Sequence, residues 1–157
     1  MSSEVDTADT GVVGELLTSV PSREQIVKLE HFIAENLPLM EIEPVHHFAD
    51  GIYARELRIP AGTVLTGKVH KTEHLNILSQ GKITVWTEEG MKTVEAPYTI
   101  VSKPGTKRAG YAHTDCVWTT IHGTALRDLD ELEAALIEFE PHLQPLLESA
   151  KKPLLEE

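Results

Sequence analysis

The chain has 157 residues, 41% of them hydrophobic, and a formal net charge of -11. That length suits one domain with a sizeable core; no apolar run approaches bilayer-spanning length, and no basic start leads into an apolar segment, so neither a membrane partner nor a signal peptide is expected. The acidic balance speaks against nucleic-acid partners, and the single cysteine, Cys116, leaves no internal disulfide, which fits a cytoplasmic protein.

The charge is unevenly spread. Residues 1–40 and 128–157 together hold -12, whereas residues 41–127 hold +1. An acidic coat around a nearly neutral centre aids solubility and leaves the central region free to attract a small anion.

Residues 1–20, with dispersed Ser, Thr, Asp and Gly, read as a loose arm. Ser22 followed by Gln25 makes a capping box, and Ile26, Leu29, Ile33 and Leu37 recur at helical spacing until Pro38, which predicts a helix over 23–36. From Glu41 the period changes to two. Turn signals at Asp50-Gly51, Pro60-Ala61-Gly62, Gln80-Gly81, Glu89-Gly90, Pro104-Gly105 and Thr114-Asp115 separate short runs such as IYARELRI, KITVWT, YTIVS and VWTTIHG. Many short strands without intervening helices predict an antiparallel sandwich or barrel over 41–125. Beyond it, Asp128 or Asp130 can cap a second helix whose stripe is Leu129, Leu132, Leu136 and Phe139, ended by Pro141. The expected organisation is one structural domain: an arm and helix over 1–40, a β-barrel over 41–125, and a helix and tail over 126–157.

One stretch stands out for chemistry. From Gly62 to Gly81 a lysine, two histidines and a glutamate sit between β-forming runs. His70 and His74 flank a turn at 71–73, so both can project from neighbouring strand ends, and two neutral imidazoles suit a divalent transition metal.

Gly62, Lys68, His70, His74 and Gly81 also fall on the five fixed positions of the pattern G-x5-H-x-H-x3-E-x6-G. In this the chain resembles the cupin superfamily, with Lys68 in place of the first histidine and His74 in place of the glutamate. The second pattern, G-x5-P-x-G-x2-H-x3-N, keeps Gly105 and meets Pro97, Lys103, Arg108 and Ala112 at its other positions. The resemblance implies a mainly β fold, a single cupin-type antiparallel jelly-roll barrel with flanking N- and C-terminal α-helices, and a homodimer or other homo-oligomer. It also implies a divalent metal in the barrel, iron, manganese, zinc or nickel, on His70 and His74. Arg108 replaces the family's third histidine and has no lone pair to give. His113, expected at the same end of the barrel, is the first choice for a third ligand, with His122 and Glu73 as alternatives. The stretch TKRAGYAHTDCVWTTIH is similar to small phage-encoded cupins, which implies a host-cytoplasmic location for a phage product.

Two functions follow as expectations, and whether the chain is an enzyme stays open. In one, the metal polarises a small anionic molecule, a sugar acid or keto acid, held by Lys68 and Arg108, and Glu73 is the catalytic group that moves a proton. In the other, the barrel is a non-catalytic ligand-binding or structural module of a phage. His46 and His47 are adjacent in one strand and face opposite ways, so at most one lines the barrel.

Overall fold

The computed structural model describes residues 22–37, 42–146 and 148. The arm expected at 1–20 and the last residues of the tail lie outside them. Helix α1 spans Arg23–Asn36. Its start is the capping box expected from the sequence: the Gln25 amide donates to Ser22 Oγ at 3.2 Å, and the Ser22 amide donates to Gln25 Oε1 at 2.8 Å.

Nine strands follow, β1 (Val45–Ala49), β2 (Ile52–Ile59), β3 (Val64–Thr66), β4 (His74–Gln80), β5 (Lys82–Thr87), β6 (Gly90–Glu95), β7 (Tyr98–Ser102), β8 (Ala109–Ala112) and β9 (Cys116–Gly123). They form two antiparallel sheets, a five-stranded one in the order β1-β2-β9-β4-β7 and a four-stranded one in the order β3-β8-β5-β6. These two facing sheets, with a helix at each end of the chain, make a cupin-type jelly roll. The six turns anticipated from Gly, Pro and Asp all separate strands. Two strands escaped the periodicity reading: β3 has only three residues, and β8 is the weak β-former sequence AGYA.

Alternation along the strands divides the core into two layers. Between the sheets, Ile59, Leu78, Ile83, Val85 and Trp118 pack together. On the outer face of the four-stranded sheet, Ile26 and Leu29 of α1 cover Trp86, Ala109 and Tyr111. Gly81 closes the tight turn between β4 and β5 at φ +94°, and a Cβ there would meet the Asp115 carbonyl oxygen and, at 2.7 Å, Cys116 Sγ.

The second helix, α2, spans Leu129–Leu136, with the Asp128 carboxylate accepting from the Asp130 amide at 3.1 Å. Leu132 and Leu136 pack on Tyr53. The helix stops one turn earlier than its apolar stripe suggested. Ile137 is extended and bridges to His70, the Glu138 amide donates to the Val69 carbonyl at 2.8 Å, and Phe139 is 81% exposed instead of completing the stripe. Backbone pairing with the segment around His70 outcompetes one more helical turn.

A buried ion network ties the helices to the barrel. Lys107 is fully buried, with Nζ 2.9 Å from Glu30 of α1 and 3.0 Å from Glu140. Glu30 also accepts from Thr66 Oγ1 at 2.6 Å and lies 2.8 Å from His142 Nε2. Breaking such a pair leaves uncompensated buried charge. Lys107→Ala is therefore expected to lose about 3–5 kcal/mol in urea unfolding; a loss under about 1 kcal/mol would mean the carboxylates reach water instead. Gly81→Ala should lose at least about 2 kcal/mol, the sum of left-handed strain and a forced contact, read as a shifted urea midpoint at unchanged m-value.

Candidate metal centre

Strand register builds the site row by row on the inner face of the five-stranded sheet. Tyr53 pairs with His122, Arg55 with Thr120 and Leu57 with Trp118. Across β4, Asn76 pairs with Thr120 and Leu78 with Trp118, while His74 pairs with Ser102 of β7. The rows thus run from aromatic and imidazole groups at one end, through Asn76, Thr120 and Arg55, to an apolar floor. His70 arrives from the connection between β3 and β4, pinned by the Gly105 amide, which donates to its carbonyl at 2.9 Å, and by the bridge to Ile137.

His70, His74 and His122 converge, each offering a ring nitrogen within 4.8 Å of the others. The His70 and His74 rings are 4.3 Å apart between centroids, and His70 Nδ1 faces His122 Nε2 at 3.1 Å. His74 Nδ1 donates to the Thr72 carbonyl at 2.9 Å, which fixes its tautomer and leaves Nε2 bare. Burial pulls His70 down to about 3, helped by its neighbours His74, His122, Arg55 and Arg108. Burial likewise takes His122 to about 4, with His74 adding to the effect. His74 is lowered by burial and by Arg108, against the raising pull of its hydrogen bond to Thr72. All three rings are therefore neutral near pH 7, the form that offers a lone pair to a metal. Buried His122 Nδ1 has no partner among the described residues. Three neutral imidazoles without a carboxylate fit a divalent transition ion with coordination positions left open.

Of the three histidines expected together from the sequence, the structure brings His70 and His74 together and sets His122, not His113, beside them. His113 lies elsewhere: its amide donates to the Lys82 carbonyl at 2.9 Å, and its ring sits against Thr84 Oγ1 at 2.6 Å and edge-on to Tyr111. The turn after β8 packs at the Gly81 end of the barrel, away from His70, so the two turns are not at one end as expected. Glu73, the proton-moving group suggested by the sequence, is exposed and does not line the cavity. Lys68 sits at the cavity rim with Nζ 2.8 Å from Glu133 of α2. Of the adjacent pair, His46 lines the cavity and its Nδ1 lies 2.7 Å from the Tyr53 hydroxyl, while His47 is exposed and lies 3.0 Å from Glu56.

The sequence reading omits Arg55 and puts His122 behind His113, yet both carry a usable signal. His122 shares its parity with Trp118 and Thr120 in β9, and Arg55 shares its parity with Tyr53 and Leu57 in β2, so both had to face inward once those strands were placed.

The cavity between the sheets has a volume of about 450 Å³ and is roofed at one end by α2. Arg108 reaches into it, donating to Ser102 Oγ at 2.9 Å with its guanidinium 5.7 Å above the Trp118 ring. Burial lowers its pKa, and its Nε is buried without a partner among the described residues. The wall is otherwise largely committed. Asn76 donates to Ser102 at 2.6 Å, and its Oδ1 accepts from Trp118 Nε1 at 3.1 Å and Thr120 Oγ1 at 3.0 Å. A second group of metal-type side chains, Glu30, Glu140 and His142, already holds a cation, the Lys107 ammonium. Cys116 is buried, its thiol pushed up by that burial, which makes it a poor nucleophile.

No family model matches the chain, and no curated protein matches it. Similar solved structures include a cupin-2 domain-containing protein from Shewanella frigidimarina, at 13% identity and TM-score 0.45, covering 68% of this chain and 96% of that one. The cupin domain of Schizosaccharomyces pombe Cnp3 aligns at 15% identity and TM-score 0.46, covering 64% and 71%. KdgF from Halomonas aligns at 15% and TM-score 0.46, covering 58% and 84%. Among the described residues no helix is long and apolar enough to cross a membrane.

The rim pair of Lys68 and Glu133 is half exposed on both sides. Exposed pairs contribute about 0–1 kcal/mol, so Lys68→Ala should leave urea stability within about 1 kcal/mol of the parent. A larger loss would make the pair a structural latch for α2.

Proposed function

We propose that this protein binds a divalent transition metal through His70, His74 and His122 and holds a small anionic molecule beside it in the barrel. The observation that supports this best is the convergence of three neutral histidines, two buried and His70 half-buried, on the wall of a cavity that Arg108 also enters. A bound ion would supply Lewis acidity toward a carbonyl or hydroxyl group. The chain's own residues have separate tasks. Arg108 attracts the anion, Ser102 and the Trp118 ring fix its guanidinium plane, and the apolar wall keeps water away from the charged groups.

A second reading, binding without turnover, has a specific observation in its favour. Among the described residues the one carboxylate on the cavity wall is Glu133, and it is tied to Lys68 at the rim. A reaction that needs a general base would then turn to His46, because burial raises the Tyr53 pKa and keeps that hydroxyl protonated near neutral pH.

Metal analysis of the purified full chain after loading with zinc or manganese tests the proposal. The parent and His113→Ala should retain about one equivalent, whereas His70→Ala, His74→Ala and His122→Ala should each lose most of it, an expected drop of roughly 10-fold or more in affinity. An unloadable parent overturns the metal site. Loss of metal in His113→Ala with retention in His122→Ala would restore the ligand set expected from the sequence.

A further inference from the structure

The small-anion reading leaves the body of the anion unspecified, and the cavity wall constrains it. We propose that the molecule is a carboxylic acid with an apolar body, aromatic or branched aliphatic, its carboxylate between Arg108 and Arg55 and its hydrocarbon part on the barrel floor. This rests on the reading of the cavity as a small-anion site, and it does not require the metal.

Hydrogen-bond accounting carries the first half. A polyhydroxylated ligand such as a sugar acid needs a protein partner for nearly every hydroxyl it buries, because an unpaired polar group in an apolar site is costly. The polar side chains in the middle of this cavity are already largely engaged with one another. Asn76 is bound to Ser102, Trp118 and Thr120, Ser102 also accepts from Arg108, and Tyr53 faces His46. What remains is cationic. Arg55 lines the cavity and has neither an ion pair nor a hydrogen bond among the described residues, and Arg108 uses one terminal nitrogen on Ser102 and has no carboxylate partner there. Two guanidiniums without counter-ions in one cavity call for one compact anion, and planar guanidinium groups suit a carboxylate.

Shape and polarity carry the second half. Below the row of Asn76, Thr120 and Arg55 the wall is formed by Leu57, Ile59, Leu65, Ile83, Val85 and Trp118. A cavity of about 450 Å³ lined this way matches a small ligand with one charged end and a hydrophobic remainder. A dianionic phosphate would lose more hydration here than a carboxylate and would leave this floor without a partner.

The test is calorimetric titration of the full chain, metal-free and zinc-loaded, with phenylacetate, isovalerate, gluconate and inorganic phosphate. Phenylacetate or isovalerate is expected to bind at least 10-fold more tightly than gluconate or phosphate, and Arg108→Gln and Arg55→Gln should each weaken that binding at least 10-fold. Thermal melting separates this loss from unfolding, and Arg55, on a different strand, gives a second variant if Arg108→Gln melts early. Gluconate or phosphate binding more tightly than both hydrophobic acids, with loss in the arginine variants, overturns the apolar body while the small-anion reading stands. No binding by any of the four acids overturns both. Hydrophobic acid binding that neither arginine variant changes removes the carboxylate seat.

Discussion

The inward alternation of β2, β9 and β4 is the constraint on which the rest of the site depends. Once Tyr53 is opposite His122 and Leu57 opposite Trp118, every second residue of those strands is committed to the interior. A slip of one residue would turn His122, Thr120 and Trp118 outward and bring Ile121, Thr119 and Val117 in. Such a barrel would still be hydrophobic inside. It would have no histidine cluster, no network around Asn76, and no aromatic face beneath Arg108.

The same alternation explains how two neighbouring cations meet opposite fates. Lys107 and Arg108 are adjacent at the entry to β8, so one side chain points away from the barrel and the other into it. Outside, Lys107 is met by Glu30 and Glu140, and its charge is neutralised in place. Inside, Arg108 has Ser102 and an aromatic face, and no carboxylate partner among the described residues. The compensated cation fixes the strand entry against α1 and the tail. The uncompensated one is thereby held at a defined depth in the cavity, where its charge is available to a ligand.

Much of the fold was legible because its signals are local. Turn residues, the capping box before Arg23 and the period-two runs IYARELRI, KITVWT and YTIVS are properties of short windows, and their elements match to the residue. The site was legible only in part because it is non-local. His70 and His74 are four apart, so one motif carried both, but the third histidine depends on which strand lies beside β4. That strand is β9, far along the chain, and its neighbour relation is set by sheet order and not by spacing. His113 was favoured from motif position, and the close packing of its turn on Gly81 puts it at the other end. Phe139 failed for a related reason: helical period favoured one more turn, and pairing with residues 69–71 ended the helix first.

That last departure bears on how the histidines are held. His70 lies in no strand, and without support its ring would be the loosest of the three. The Leu136 carbonyl accepts from the Lys71 amide at 2.7 Å, Ile137 bridges His70 itself, and the Glu138 amide binds the Val69 carbonyl, so the end of α2 brackets His70 on both sides. Leu132 and Leu136 press on Tyr53, which pairs with His122. A single short helix therefore roofs the cavity, orders the one histidine of the cluster that lacks a strand and backs the residue beside another. Fixing imidazoles in advance reduces the ordering cost of binding, which gives the chain after residue 126 a role in the site although none of its side chains belongs to the histidine cluster.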